Sequence, residues 1–328
     1  MTDIDSQEPM DADAAVLQQY IAECSNWGRW GADDQKGTWN LVGPEQLRHA
    51  ASLVKQGKSI PLSLPYDQNG PQTGQWGRFN PVLYSSLTGT DVVAGQQDIV
   101  AMGLSPRPGI GFSDHTVIMP TQSGTQWDCL NHVFWQGKMY NNRPAEEVSA
   151  TASRHNAVEH VADKGIARGV LADIARYKGV DSLDPGYAIT SGDIEGFLDS
   201  KDIELLPGDA LLVRTGFLGA RRGNWGDYAG GYAPGLSLHA APWLRHKDLA
   251  AIASDTWGLE VRPNEIAFFQ PLHVVLLVHA GMAFGEIFDL EALAADCAQD
   301  DVYEFMLVAP HLPITGASGT PVGALALK

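Results

Sequence analysis

"PTQSGTQWDCLNH", residues 120–132, carries Gln122, Gln126, Asp128 and His132 at separations of two or four residues. In an extended chain, even separations put side chains on one face. The stretch therefore offers two amides, a carboxylate and an imidazole to one side of a strand, or of a strand kinked at Gly124. Trp127, Leu130, Val133, Phe134 and Trp135 surround this polar set. Gly124-Thr125 implies a bulge or a close backbone approach. The residues leave two readings open. One is a polar edge strand facing water. The other is a buried group that shares a ligand or metal, because buried polar groups need partners.

Composition narrows the function classes. The chain has 328 residues, 44% of them hydrophobic, with 35 glycines and 19 prolines. That is glycine- and proline-rich for a helical protein and fits short strands joined by many turns. The formal net charge is −17, so neither nucleic acid nor an anionic membrane surface is an expected partner. Cys24, Cys129 and Cys297 are far apart and odd in number, which matches neither a disulfide framework nor zinc-type CxxC spacing. The acidic N-terminus lacks the apolar core of a signal peptide, and no apolar run reaches membrane-spanning length. A soluble, cytoplasmic protein is expected.

Along the chain, residues 1–12 are expected to be disordered and 13–328 to form one mixed α/β domain. Helices are expected in "DAAVLQQYIAEC", in a segment with Pro44 in its first turn and Gly57 just past its end, and in "HNAVEHVADKG", "SGDIEGFLDS", "SLHAAPWLRH", "LHVVLLVHAG" and "DLEALAADCAQ". Strands are expected in "HTVIMP", which runs straight into the opening stretch, and in "GVLADIA", "GDALLVRTG", "LAAIASD" and "YEFMLVAP". The polar segment from "SIPLSLPY" to "GIGFSDH" reads as loop.

Further candidates lie outside the opening stretch. His273 begins an apolar helix, and Glu286 sits among hydrophobic residues, where a carboxylate needs a partner. A structural salt bridge or a helix-capping acid would also explain that glutamate. His279 reads as a helix-surface histidine. Asp255, at the end of an expected strand, is a further candidate. Trp27 and Trp30, in "NWGRWGADD", suggest a lid or an oligomer contact. The phosphate-binding glycine fingerprints and the GxSxG elbow are absent, which disfavours nucleotide and serine-hydrolase chemistry.

Taken together, these segments resemble the cyclase family of metal-dependent hydrolases, which includes kynurenine formamidase, isatin hydrolase and trans-dienelactone hydrolase. The family hallmark HxGTHxDxPxH aligns with Gln122 through His132. Gly124, Thr125, Asp128 and His132 match; Gln122 and Gln126 stand in place of two histidines, and Leu130 in place of proline. "PLHVVLL" and the later "GE" place His273 and Glu286 on the family's second pair of ligands. The resemblance implies a swivelling β/β/α fold, a mixed and mainly antiparallel barrel-like sheet surrounded by helices. It implies metal ligands at Asp128, His273 and Glu286, and a proton-handling role for His132.

An amide is a weaker, neutral donor to a transition metal than an imidazole. The expectation is therefore one divalent ion, Mn²⁺ or Zn²⁺ or else Mg²⁺, with Gln122 and Gln126 turned to substrate or to an outer water. The expected function is hydrolysis of a small cyclic amide or lactone, or of a simple amide, with His132 as general base. Trp127, Tyr140, Trp27 and Trp30 would wall the pocket around a flat small-molecule substrate. The alternatives are a metal-independent lyase or isomerase, and a catalytically inactive binding protein. A homo-oligomer, dimer or tetramer, is implied by the family.

Overall fold

The computed structural model describes residues 7–97 and 110–328. Its frame is a nine-stranded mixed sheet. In spatial order the strands are Ser59–Pro61, Leu325–Leu327, Glu304–Val308, Ile166–Asp173, Ala210–Arg214, Ala251–Ser254, Ala283–Glu286, Gln126–Asp128 and Gly319–Pro321. The three central pairings, from Ile166–Asp173 to Ala283–Glu286, are parallel. All the outer ones are antiparallel. The sheet curls into a half-barrel with helices around it, as the resemblance implied.

The parallel strands explain the apolar runs read from the sequence. Val170, Leu171 and Ala172, Leu211 to Val213, and Ala251 to Ala253 are all buried. Strands covered on both faces lose alternation and become continuous apolar segments. The Gln126–Asp128 strand lies near the sheet's other end and does alternate. Trp127 points into the core, and Gln126 and Asp128 share the opposite face.

Helices occupy most of the expected places: Pro44–Ser52, Ser191–Ser200, Ala241–His246 and Glu291–Asp300. The Thr190 hydroxyl caps the second by accepting from the Asp193 N–H. Gln7–Cys24 contains the helix expected from residue 13 and starts sooner, so residues 7–12 are helical where disorder was expected; residues 1–6, also expected to be disordered, lie outside the described residues. Three expectations need correction. "HNAVEHVADKG" holds only a 3₁₀ turn at Val158–Val161. The segment read as loop contains two strands, Ser59–Pro61 and Val82–Leu87. The strand in "HTVIMP" is Asp114–Ile118, and it pairs with Val82–Leu87 in a separate hairpin instead of continuing into the site. Pairing satisfies the inner edge of each strand, while Leu83, Tyr84, Val117 and Ile118 stay exposed.

Cys24, Cys129 and Cys297 are free and buried. Among the described residues no helix is long and apolar enough to cross a membrane.

The close approach expected at Gly124 is present. A Cβ there would come 2.8 Å from Cε1 of Tyr66. That ring cannot move aside freely, because its hydroxyl bonds the Thr125 and Val322 carbonyls and accepts from the Val322 N–H. Gly124→Ala should therefore cost about 1–3 kcal/mol of stability as an overpacked site. Urea unfolding will read this as a lower midpoint at unchanged slope.

Candidate functional site

Two adjacent antiparallel strands and one helix bring the polar residues together. Glu286 ends the Ala283–Glu286 strand and lies opposite Gln126 in register, with Phe284 opposite Asp128. Cross-strand partners sit within side-chain reach, and Gln126 Nε2 donates to Glu286 Oε2 at 2.8 Å. His273 opens the π-helical segment His273–His279 over this sheet end.

The ring of His273 is fixed by Glu260. Glu260 Oε1 lies 2.6 Å from His273 Nδ1. The same carboxylate accepts from the backbone N–H groups of Leu272 and His273 and from Asn264. So many donors make it an ionised acceptor, so Nδ1 carries the proton and Nε2 faces the two other acids. Nε2 is 3.4 Å from Glu286 Oε1 and 3.9 Å from Asp128 Oδ2. One ligand atom each from Asp128, His273 and Glu286 lies within 4.8 Å of the others, and all three residues are buried.

Electrostatics makes this a site in need of positive charge. Burial lowers the pKa of His273, but hydrogen bonds to Glu260 and Glu286 outweigh that and raise it to about 10. Burial and the charge of Asp128 raise Glu286 to about 7, against the pull of His273. Asp128 Oδ2 and Gln126 Oε1 have no hydrogen-bond partner among the described residues. The residues fit a divalent ion on that ground and on distance. Nitrogen and oxygen ligands about 2.0–2.2 Å from a common zinc ion stand roughly 3–4 Å apart, which the His273 separations match. The carboxylate behind the imidazole is also the usual support of a metal-binding histidine.

His132 stands beside this cluster with Nε2 3.8 Å from Asp128 Oδ1. Its Nε2 also lies 3.4 Å from an Arg78 Nη, and its Nδ1 3.3 Å from the Gln122 amide. A neutral imidazole accepts at one nitrogen only, and arginine can only donate. Nε2 therefore accepts from Arg78, while the Gln122 amide nitrogen faces Nδ1 and the Gln122 carbonyl accepts from the Thr121 hydroxyl. Burial lowers the pKa of His132; Asp128 opposes this, and Arg78 and His273 add to the lowering. At neutral pH the ring is neutral, and its Nε2 lone pair faces Arg78 at the cavity.

Above these groups opens a cavity of about 460 Å³, a size typical of small-molecule sites. Asp128, His132, His273 and Glu286 line its polar end; Trp76, Trp257, Trp135, Phe134, Phe268 and Phe269 form apolar walls.

The family model named Cyclase matches residues 60–261. This chain belongs to the cyclase family. A crystal structure of a protein described as a novel cyclase is 38% identical and superposes with a TM-score of 0.82, covering 93% of this chain and 100% of that one. Isatin hydrolase A from Labrenzia aggregata, bound to benzyl benzoate, is 18% identical with a TM-score of 0.61 over 85% of this chain and 98% of that one. A protein described as a predicted metal-dependent hydrolase from Bacillus stearothermophilus is 17% identical, with a TM-score of 0.51 over 82% and 97%. At such identities the last two share the fold. No curated protein sequence gives a significant match.

In this chain the sequence candidates separate into two groups. Gln122, Gln126, Asp128, His132, His273 and Glu286 converge, although only Gln126 and Asp128 lie on the strand. Gln122 and His132 sit in the flanking turns, and the turns rather than a continuous strand bring them together. The expected walls lie elsewhere. Trp127 faces the core and donates Nε1–H to the Ala309 carbonyl. Tyr140 is buried with its hydroxyl on Asp34. Trp27 stacks on His279 at 4.6 Å and bonds the Val278 carbonyl, which makes that histidine an interior group and not a surface one. Trp30 lies under Arg29. Asp255 is consumed by the N–H groups of Thr215 and Gly216 and by the Thr215 hydroxyl.

Glu260, Arg78 and most of the aromatic wall were missed. Glu260 and Trp257 belong to "SDTWGLE", the stretch that drew attention to Asp255. No periodicity or motif in that stretch marks Glu260 as the partner of the later His273. Arg78 and Trp76 sit in "QWGRF", where no periodicity marks them.

Proposed function

We propose that this chain is a hydrolase that opens a small cyclic amide or lactone, or cleaves a simple amide, with one divalent ion held by Asp128, His273 and Glu286. The observation that carries this reading is the convergence of those three ligand atoms around one point, with Glu260 behind the imidazole. Family membership supports it, as do the fold neighbours whose names are those of hydrolases. When bound, the ion polarises a carbonyl and lowers the pKa of water.

The chain's own groups do the rest. His132 Nε2 takes a proton from the attacking water and returns it to the leaving nitrogen or oxygen. Arg78 keeps Nε2 in the acceptor role this requires, and Gln122 flanks the ring at Nδ1. Gln126 bonds Glu286 Oε2 and leaves Oε1 of that carboxylate facing His273. The aromatic walls exclude water and select a flat substrate. Zn²⁺ and Mn²⁺ suit two carboxylates and one imidazole; Mg²⁺ suits the oxygens alone.

A second reading, a metal-independent lyase or isomerase, draws on that same Gln126–Glu286 bond, since an amide already partners one carboxylate oxygen. A screen of lactones, N-formyl amines and cyclic imides, run with and without chelator, separates the two. The hydrolase reading expects turnover of at least one compound, lost on chelation. Turnover that survives chelation would favour the second.

A further inference from the structure

Arg78 has no carboxylate partner within 4.0 Å among the described residues. It is nonetheless the one lysine or arginine among the residues that line the cavity, and its nearest polar neighbour is the imidazole of His132. The guanidinium also lies 5.8 Å from the ring of Trp76, which itself stacks toward Trp257 at 5.4 Å and Phe269 at 6.3 Å. A planar cation thus stands at the meeting of an aromatic slot and the proposed base.

The half-buried guanidinium gives up part of its hydration for weaker contacts with an imidazole and an indole ring, and no carboxylate completes it. Its fork matches a carboxylate bidentately. The chain carries a formal net charge of −17, so an anion approaching the cavity meets repulsion everywhere else, and from Asp128 and Glu286 within. A local cation is what would let an anionic ligand be preferred. We propose that Arg78 is a specificity-determining residue that binds a carboxylate carried by a flat, aromatic substrate, next to the carbonyl presented to His132. This deepens the hydrolase reading of the same cavity and rests on it for where the reacting carbonyl lies.

The test is a calorimetric titration of the purified full chain with 2-naphthoate and with 2-naphthamide, which differ in charge and hardly in shape. Neither requires turnover, so failure here is distinct from failure of the hydrolysis screen. Wild-type protein should bind naphthoate about 10- to 100-fold more tightly than naphthamide, the range of a charge-assisted hydrogen-bonded pair. In Arg78→Met the ratio should fall close to one, and Arg78→Lys should restore part of it. A residue that merely props His132 would shift both affinities together and leave the ratio intact. An unchanged ratio in Arg78→Met would place the carboxylate at the ligand cluster instead and overturn the proposal. No preference in the wild type, or no binding of either compound, would overturn it as well.

Discussion

Replacing His132 by alanine should lower kcat by about 10²- to 10⁴-fold, the range lost with a positioned general base, and leave stability nearly unchanged. Its ring is at the cavity edge, and the contacts it gives up are long ones, at 3.3 to 3.8 Å. Truncation there opens space already continuous with solvent and strands no buried charge. The pH profile gives a second check. Because burial depresses the pKa of His132, the base stays unprotonated below the ordinary imidazole value. The acid limb of kcat/KM should therefore fall below pH 6.5, the usual histidine pKa. Activity is present above that folded-state pKa and is lost as pH falls through it. An alanine variant that turns over at the wild-type rate would remove His132 from the mechanism, whatever the metal content.

The second large effect is expected at His273. Its imidazole stands between Glu260, Glu286 and Asp128, and all four side chains are buried. His273→Ala removes the only cationic partner in that group and leaves carboxylates facing one another in a low-dielectric interior. Breaking a buried charge pair in this way costs about 3–5 kcal/mol, so chemical denaturation should show a marked loss of stability together with loss of ion binding. Glu260→Gln separates the two effects. The ring remains, but its Nδ1–H loses an ionised acceptor, and the affinity for the ion should fall by about 10- to 100-fold as for other carboxylate supports. Titration of the variants with Zn²⁺ and Mn²⁺ reads this directly. Equal affinity in Glu260→Gln and wild type would show that the carboxylate is structural only.

The sequence announces the centre of this site better than its surroundings. Asp128, His132, His273 and Glu286 were legible because polar residues set in apolar stretches signal burial with a partner. Gln126 and Asp128 share a face through the two-residue period of a strand. The parallel core strands were legible for a similar reason, since burial on both faces leaves continuous apolar runs. The walls were not legible. Trp127 and Tyr140 are as aromatic as Trp76 and Trp257, and composition cannot say which ring turns to the core. For Trp127 the answer follows from alternation: one residue from Gln126 and Asp128, it must point away from them. The convergence of Arg78 on His132 depends on a loop whose path no local pattern records. The strand Val82–Leu87, partner of the expected one at Asp114–Ile118, escaped notice because its residues do not alternate in burial.

The central claim is that Asp128, His273 and Glu286 hold one ion that the reaction requires. Elemental analysis of the wild-type protein beside Asp128→Asn, after equilibration with Zn²⁺ or Mn²⁺ and removal of the excess, tests it most directly. About one ion per chain in the wild type and almost none in the variant is the expected result. A wild-type protein that retains no ion, yet hydrolyses its substrate undiminished in chelator, would contradict it.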